Sequence, residues 1–184
     1  MDTLIPISVL SCYPIDSDNK KPLPPRMAYL APDAASSFKA MQAELLKDHN
    51  VVLRVSDMYR SYEDQARARA AYDAELSKWL NNGSKGPKPK FRAKPGYSFH
   101  QAGRAIDVDL SSLKPLATLD EKGNYLAAFW AIAKKHGWLP IIKDPKPGVS
   151  ESWHFDYPGR FKEARAKDYA KAANEAVNSV MLPA

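Results

Sequence analysis

Hydrophobic positions in the first half of the chain follow a helical period, then a strand-like run, then a helical pattern again. Apolar residues three and four positions apart predict a core-facing helix over 33–48, with Asp33 as its N-cap. The β-branched run 51–55 predicts a strand, and the polar segment 56–61 predicts the turn that leaves it. Residues 62–80 are rich in alanine, glutamate, glutamine and arginine, and we expect a long second helix there.

The second half of the chain again mixes the two periods. Residues 105–110 alternate as a strand does, and 124–136 form an amphipathic helical pattern that Gly137 stops. Residues 153–157 predict a further strand, and the alanine- and lysine-rich segment 161–180 predicts a C-terminal helix. Helices mixed with hairpin-like strands favour an α+β fold, with a small antiparallel sheet and flanking helices.

Two segments follow neither the helical period nor the strand period. Residues 1–32 are rich in proline and polar turns, and we expect an irregular N-terminal arm that wraps the domain. Residues 81–97 change abruptly to asparagine, glycine, proline and lysine, which predicts a long loop. A chain of 184 residues has the length of one ordinary domain, so we interpret 1–184 as a single domain.

Composition restricts the class of protein further. The chain has 45% hydrophobic and 26% charged residues, a balance typical of soluble globular proteins, and lacks the run of about 20 apolar residues that a membrane span needs. The net charge of +6 suits polyanionic partners in general and does not choose among them. The basic residues are dispersed, apart from a cluster in the loop 81–97, and no nucleic-acid motif surrounds them. We therefore expect no nucleic-acid partner and no membrane span.

The cysteine content and the N-terminus bear on metal chemistry and on export. Cys12 is the only cysteine, so any metal site must use histidine and carboxylate ligands. The N-terminus has Asp2, Pro6 and no basic region, all contrary to a secretory signal, so we interpret it as a mature N-terminus. If the substrate lies outside the cell, another route must deliver the protein.

Two of the four histidines lie in segments dense in groups that can carry chemistry. These segments are 98–107 and 151–154, which combine histidine with glycine, tryptophan, aspartate and glutamate. The other two have structural explanations. His49 falls in a turn between helix and strand, and His136 lies in the last helical turn, where a cation meets the negative end of the helix dipole.

A catalytic zinc ion needs three protein ligands and one open position for water. His100, Asp107 and His154 could supply them, but Asp109 shares a strand face with Asp107, and periodicity does not separate the two. Asp156 shares a face with His154 and could orient an imidazole. Alternatively, both histidines are turn and sheet residues that pair with nearby carboxylates.

Three ordered motifs within residues 57–157 resemble a known family. They read Tyr59-Arg60-Ser61-x-x-x-Gln65, then Lys94-Pro95-Gly96-x-Ser98-x-His100-x-x-Gly103-x-Ala105-x-Asp107, then Glu151-x-Trp153-His154. This order is similar to that of the zinc D-alanyl-D-alanine carboxypeptidases, which include vancomycin-resistance peptidases and phage L-alanyl-D-glutamate endolysins. The resemblance implies the fold shared by these peptidases and the hedgehog signalling domain.

The resemblance also implies roles for individual residues. His100, Asp107 and His154 would bind one zinc ion per chain, which favours Asp107 over Asp109. Glu151 would be the catalytic base, and Arg60 would bind or polarise the scissile carbonyl.

The expected substrate-binding residues are Arg60, Ser98, Gln65 and Trp153. The chain departs from the family pattern at Met58, where glycine is usual, and at Phe99, where a polar residue is common. We expect these departures to affect the shape of the substrate groove.

Geometry makes a separate prediction for Glu151. It lies an odd number of residues before His154, so a regular strand would point the two side chains in opposite directions. We therefore expect Glu151 in the turn before the strand, curled back over the metal. The loop 81–95 runs into the first histidine segment, and we expect it to border the substrate groove.

Together these features predict a monomeric zinc peptidase that acts on peptidoglycan stem peptides in the cell wall. It would be a D,D-carboxypeptidase or an L-Ala-D-Glu endopeptidase, acting in the periplasm or outside the cell after release or delivery as a phage lysin or toxin. The alternative is a non-catalytic, zinc-stabilised module that binds cell wall or protein. The presence of both Glu151 and Arg60 favours the enzyme over this alternative. A nucleic-acid binder is supported only by the charge.

Overall fold

A four-stranded antiparallel sheet forms the centre of the protein in a computed structural model that describes residues 1–8 and 28–181. The strands follow the order β4-β5-β7-β6. Their bounds are β4 Val55–Asp57, β5 Ala105–Val108, β6 Leu139–Pro140 and β7 His154–Asp156. The antiparallel sheet with flanking helices confirms the predicted fold class.

Helices pack around the sheet and bury apolar side chains against it. They are α1 Pro32–His49, α2 Tyr62–Asn81, α3 Tyr125–Lys135, α4 Lys162–Lys167 and α5 Tyr169–Asn178. The main core joins α1 and α3 to the sheet through fully buried side chains such as Phe38, Phe129 and Phe155. A smaller cluster packs α5 against the turn that precedes β5. Burial of this apolar area is the principal force that holds the sheet in place.

The predicted helix starts are confirmed for α2 and α3 but not for α1. Ser61 caps α2 by accepting a hydrogen bond from the Asp64 backbone N–H, and Asn124 caps α3. The N-cap of α1 is Ala31 rather than Asp33, because Pro32 occupies the first helical position with the backbone preset for a helix. Asp33 lies in the first turn of α1 and pairs with Arg104 instead.

The predicted strands are shorter than expected. Residues 51–54 pair with no other strand of the described chain, although Val51 and Leu53 are buried, because an apolar run specifies burial rather than hydrogen-bonded pairing. β5 ends at Val108, since a 3-10 helix over Leu110–Leu119, absent from the sequence prediction, begins directly after Asp109. Trp153 lies in the turn before β7 rather than in the strand.

The prediction of a single C-terminal helix over 161–180 is wrong. Asp168 adopts an extended backbone and its side chain accepts a hydrogen bond from the Lys171 N–H, so it ends α4 and caps α5. A 3-10 turn over Gly159–Phe161 precedes α4, and the short strand β8 Val180–Met181 follows α5.

The N-terminal arm is more regular than predicted wherever it is described. β1 Asp2–Thr3 pairs in parallel with β8, and β2 Ile5–Pro6 pairs with β3 Tyr29–Leu30. Residues 9–27 of the predicted arm, which include Cys12, lie outside the described residues.

The long loop is confirmed over 82–97, a stretch that is described throughout and contains neither helix nor strand. Asn81 belongs to α2.

Within residues 1–8 and 28–181, the helices are too short or too polar to cross a membrane.

Candidate metal centre

The first candidate ligand, His100, lies in a tight turn before β5. Gly103 completes this turn with φ +60°, and its carbonyl accepts a hydrogen bond from the Ala31 N–H at 2.8 Å. A Cβ at Gly103 would lie 2.9 Å from the Ala31 nitrogen, so a larger residue would push the turn away from the N-terminal arm. The His100 Nδ1–H donates to the Met58 carbonyl at 2.6 Å, which leaves Nε2 as the ring's free acceptor, 3.3 Å from Asp107 Oδ1.

The sheet register brings the other two candidate ligands together. Asp107 on β5 lies directly opposite His154 on β7. The distance from Asp107 Oδ1 to His154 Nδ1 is 2.9 Å, and one ligand atom from each of His100, Asp107 and His154 lies within 4.8 Å of the others. Three such donors on one site can hold a metal ion.

Asp109 stands apart from this group, although periodicity alone left it open as a ligand. Its carboxylate accepts a hydrogen bond from the Ser111 N–H at 3.0 Å, which caps the 3-10 helix, and pairs with Arg54 at 2.9 Å. The structure therefore gives Asp109 a structural role and leaves Asp107 beside the two histidines.

Asp156 contacts the far side of the His154 ring, as the shared strand face predicted. Its Oδ1 is 2.9 Å from His154 Nε2, so the Nε2–H donates to this carboxylate and Nδ1 faces Asp107. Asp156 itself is completely buried. A carboxylate that accepts the second ring N–H is the usual outer partner of a metal-binding histidine.

The electrostatics favour a negative charge on Asp107 and a positive charge on His154. Burial by itself raises the pKa of Asp107, but His100 and His154 outweigh burial and hold this pKa well below its usual value. Burial by itself lowers the pKa of His154, but Asp156 and Asp107 outweigh it and raise this pKa well above its usual value. A divalent cation among the same atoms would supply the charge that these carboxylates favour.

Glu151 lies in the turn before β7, as expected. It has φ +65°, a left-handed conformation that is rare for a residue with a side chain. It lines a cavity of about 240 Å³ together with His100, Asp107 and His154. Such strain at a non-glycine residue is typical of functional turns.

Arg60 lines the same cavity as a fixed cation. Asp57 pairs with its Nη2, and its Nη1 donates to Gln65 Oε1 at 2.9 Å. Burial by itself lowers the pKa of Arg60, but the Asp57 carboxylate outweighs burial and raises it, so the guanidinium stays charged.

The expected substrate-binding residues are only partly brought together. Ser98 and Gln65 line the cavity beside Arg60, and Gln65 also donates to the Ala93 carbonyl at 2.7 Å. The described residues that form the cavity wall do not include Trp153, whose ring instead contacts the Lys90 ammonium at 4.8 Å.

Both departures from the family pattern are buried in the core. Met58 belongs to the main core cluster and Phe99 to the smaller one, so neither side chain forms the groove surface directly. Phe99 packs edge-on against the ring of Tyr169, which lines the cavity.

Phe91 and Arg92 in the cavity wall belong to the loop 81–95, so this loop borders the cavity as expected. Sequence reasoning missed Tyr97 and, from α5, Tyr169, which line the same wall. Tyr169 and Arg165 both bind Asp156. In the single helix predicted over 161–180, their spacing of four residues would have placed them on one face, and this was the one available signal.

The fold and the three-residue group, which is able to bind a metal ion, are those expected of a metal-dependent hydrolase. The VanY family of D-alanyl-D-alanine carboxypeptidases matches residues 27–160, and the chain belongs to this family. Family membership confirms the expectation of a peptidase, and the three-residue group is able to bind a metal ion, as the expected zinc cofactor requires. The role of each site residue remains a prediction.

Comparison with solved structures finds similar chains, and the first of those described here shows the same fold. An LD-carboxypeptidase called LdcB is 22% identical, with a TM-score of 0.50, and the match covers 96% of this chain and 78% of LdcB. The vancomycin-resistance D,D-pentapeptidase VanY in complex with Zn(II) is 20% identical, with a TM-score of 0.46 over 95% of this chain and 89% of that one. A search of curated protein sequences finds no match to the chain.

Proposed function

We propose that the protein is a zinc-dependent carboxypeptidase that removes the C-terminal residue from peptidoglycan stem peptides. The observation that carries this proposal is a single cavity that combines the three-ligand group with a carboxylate, Glu151, and a fixed cation, Arg60. Membership of the VanY family supports the reaction class.

The donor set fits zinc. Two imidazole nitrogens and one carboxylate oxygen are ligands of the kind that catalytic zinc uses, and all three residues line the cavity. His100 would bind through Nε2 and His154 through Nδ1, since their other ring nitrogens are held by Met58 and Asp156. A bound zinc ion supplies a Lewis acid that acidifies water and polarises a carbonyl group.

Glu151 acts as the general base and acid. Glu151 lines the cavity beside the ligand group, and its negative charge acts on Arg60 and Tyr169 in the same cavity wall. It takes the proton of the attacking water and delivers it to the leaving amine.

Arg60 stabilises the negative charge that develops on the carbonyl oxygen during attack. Asp57 and Gln65 hold the guanidinium in one orientation, so it needs no rearrangement when the charge appears. The presence of both Glu151 and Arg60 in the cavity favours an enzyme over a non-catalytic, zinc-stabilised binding module.

Arg92 supports carboxypeptidase action over endopeptidase action. It is half-buried in the cavity wall and forms no ion pair with any residue of 1–8 or 28–181. Its backbone is held in place, because Arg69 donates to the Arg92 carbonyl at 2.8 Å and Gln65 donates to the next carbonyl, that of Ala93. Arg92 offers a planar fork for the free carboxylate at the end of a peptide, which an internal peptide bond lacks.

Synthetic stem peptides with a free or an amidated C-terminus test this proposal. Mass spectrometry should show loss of one C-terminal residue from the free acid, and slow cleavage or none of the amide. Arg92→Gln should raise KM for the free acid, whereas Lys94→Gln, which changes an exposed charge in the same loop, should not. Cleavage of the L-Ala-D-Glu bond, or equal cleavage of acid and amide, would favour an endopeptidase.

The proposed site of action is the cell wall. There the protein would meet stem peptides in the periplasm or outside the cell. The delivery route of a phage lysin or toxin remains a proposal, and treatment of intact cell walls with purified protein would test whether it lyses them.

A further inference from the structure

Asp156 holds the centre of a hydrogen-bond network that joins the metal-site histidine to the C-terminal helices. Its Oδ1 accepts from His154, and its Oδ2 accepts from the Tyr169 hydroxyl at 3.0 Å and from Arg165 Nη2 at 3.3 Å. A fully buried carboxylate is stable only when it is paired and hydrogen-bonded, and this one has three donors from three elements.

The two outer donors come from a part of the chain that the family match does not reach. The match ends at residue 160, whereas Arg165 lies on α4 and Tyr169 begins α5. The break at Asp168 separates the two helices and keeps both side chains directed at Asp156. α5 is itself anchored, because its alanines pack with Phe99, the neighbour of His100, in the smaller core cluster.

Each donor has a separate effect on Asp156. Arg165 donates to Oδ2 and places a positive charge beside the buried carboxylate. The Tyr169 hydroxyl donates a second hydrogen bond to the same oxygen, and the two donors hold the carboxylate in one orientation. Together they fix the oxygen that receives the His154 Nε2–H, and so they fix the ring with Nδ1 toward Asp107.

We propose that Arg165 and Tyr169 are positioning residues of the metal centre, which hold His154 through Asp156 and thereby raise the affinity of the site for its metal ion. The inference rests on the proposed zinc site, but it does not depend on which peptide bond the enzyme cleaves. The C-terminal helices are then part of the metal centre rather than a separate appendage.

Zinc affinity of the purified full-length chain, measured by competition with a chromophoric chelator, tests the inference. Outer partners of metal ligands typically contribute about 10–100-fold in affinity, and we expect the Arg165→Gln/Tyr169→Phe double variant to lose that much. Tyr169→Phe alone should lose a smaller factor in the same direction, because it removes one hydroxyl and keeps the ring on Phe99.

Arg160→Gln is the matched control. It also removes an arginine–aspartate pair of the C-terminal segment, but Arg160 pairs with Asp2 at the exposed N-terminus. It should leave zinc affinity unchanged.

The melting temperature of the zinc-free protein separates positioning from folding. Weaker zinc binding by Tyr169→Phe with an unchanged zinc-free melting temperature would support the inference. Parent-like zinc affinity in this variant, or a loss that parallels a lower zinc-free melting temperature, would overturn it. A chain that binds zinc in this way but cleaves no stem peptide would contradict the proposed function and leave this inference intact.

Discussion

Two histidines of this protein contact carboxylates at similar distances, yet their surroundings differ. His154 lies 2.9 Å from both Asp107 and Asp156, and His136 Nε2 lies 2.7 Å from Glu44. Glu44 also accepts from Lys135 at 2.8 Å, so a cation already balances its charge. The length of a histidine–carboxylate contact therefore does not identify a metal site.

Charge balance and access separate the two regions. Within residues 1–8 and 28–181, the ion pairs of Asp107 are those with the imidazoles of His100 and His154, and all three residues line a cavity. Metal binding requires imidazoles that have released their protons, and the group then carries the negative charge of Asp107, which suits a dication. In the His136 group, Lys135 already pairs with the Glu44 carboxylate. This group joins α1 to the end of α3, since the Ser37 hydroxyl also donates to the His136 carbonyl.

The largest difference between the regions should come from deleting each imidazole. His154→Ala removes a proposed ligand, so stoichiometric zinc and peptidase activity should both be lost. The loss of zinc affinity should exceed that seen when an outer partner of a ligand is removed, which is typically about 10–100-fold. Stability should fall as well, because metal binding is coupled to folding. Elemental analysis and peptide cleavage measure both effects.

His136→Ala is the matched change in the second region. It should retain one zinc per chain and parent-like activity. Loss of zinc from this variant would contradict the division of roles between the two histidines.

A smaller but more specific effect is expected at Glu151. Glu151→Gln keeps the size of the side chain and the three proposed ligands, so zinc content and melting temperature should stay near those of the parent. Cleavage should fall by about 10²–10⁴-fold, the usual contribution of a general acid–base group. If zinc affinity fell together with activity, Glu151 would be a ligand. If cleavage were unchanged, another carboxylate would be the base.

Shortening the loop should have a moderate, substrate-dependent effect. Removal of 84–88 deletes Lys85 and Lys88 but leaves the cavity wall at Phe91 and Arg92. Action on intact cell walls should fall more than cleavage of small peptides, and the difference should shrink at high salt as surface charges are screened. Equal losses on both substrates would remove the reason to assign the loop to polymer binding.

The smallest effect is expected for Glu44→Gln, away from the cavity. Lys135 and His136 lower the pKa of Glu44, so its folded pKa lies below the unfolded value. Its stabilisation is therefore full at neutral pH and is lost as pH falls below the ordinary glutamate pKa of about 4.3. Thermal melts should show a loss of less than about 1 kcal/mol at pH 7 and none in acid, with zinc content unchanged.

The motif residues were predicted from their resemblance to a known family, and the structure places His100, Asp107, His154, Glu151 and Arg60 around one cavity. Their roles stay predictions. The turn at Glu151 followed from its odd spacing to His154, and the helices α2 and α3 followed from caps and apolar period. Asp107 and Asp109 could not be separated by period alone, because only the 3-10 helix after β5 shows that Asp109 is a cap.

The remainder depended on contacts between distant parts of the chain. The run 51–55 contains the apolar residues of a strand, but pairing depends on where β5 lies, and β4 begins only at Val55. Asp168 breaks the C-terminal helix, and the partners of Asp156 come from both sides of that break. Such contacts leave no periodic signal in one sequence.

The most direct test of the account is a zinc titration of the metal-free protein with a free-acid stem peptide as substrate. Activity should rise in proportion to zinc, reach its plateau at one equivalent per chain, and yield a peptide shorter by one C-terminal residue. Activity that is independent of zinc would contradict the assignment of His100, Asp107 and His154 to a catalytic metal centre. Binding of one zinc ion per chain without any cleavage of the peptide would contradict it as well.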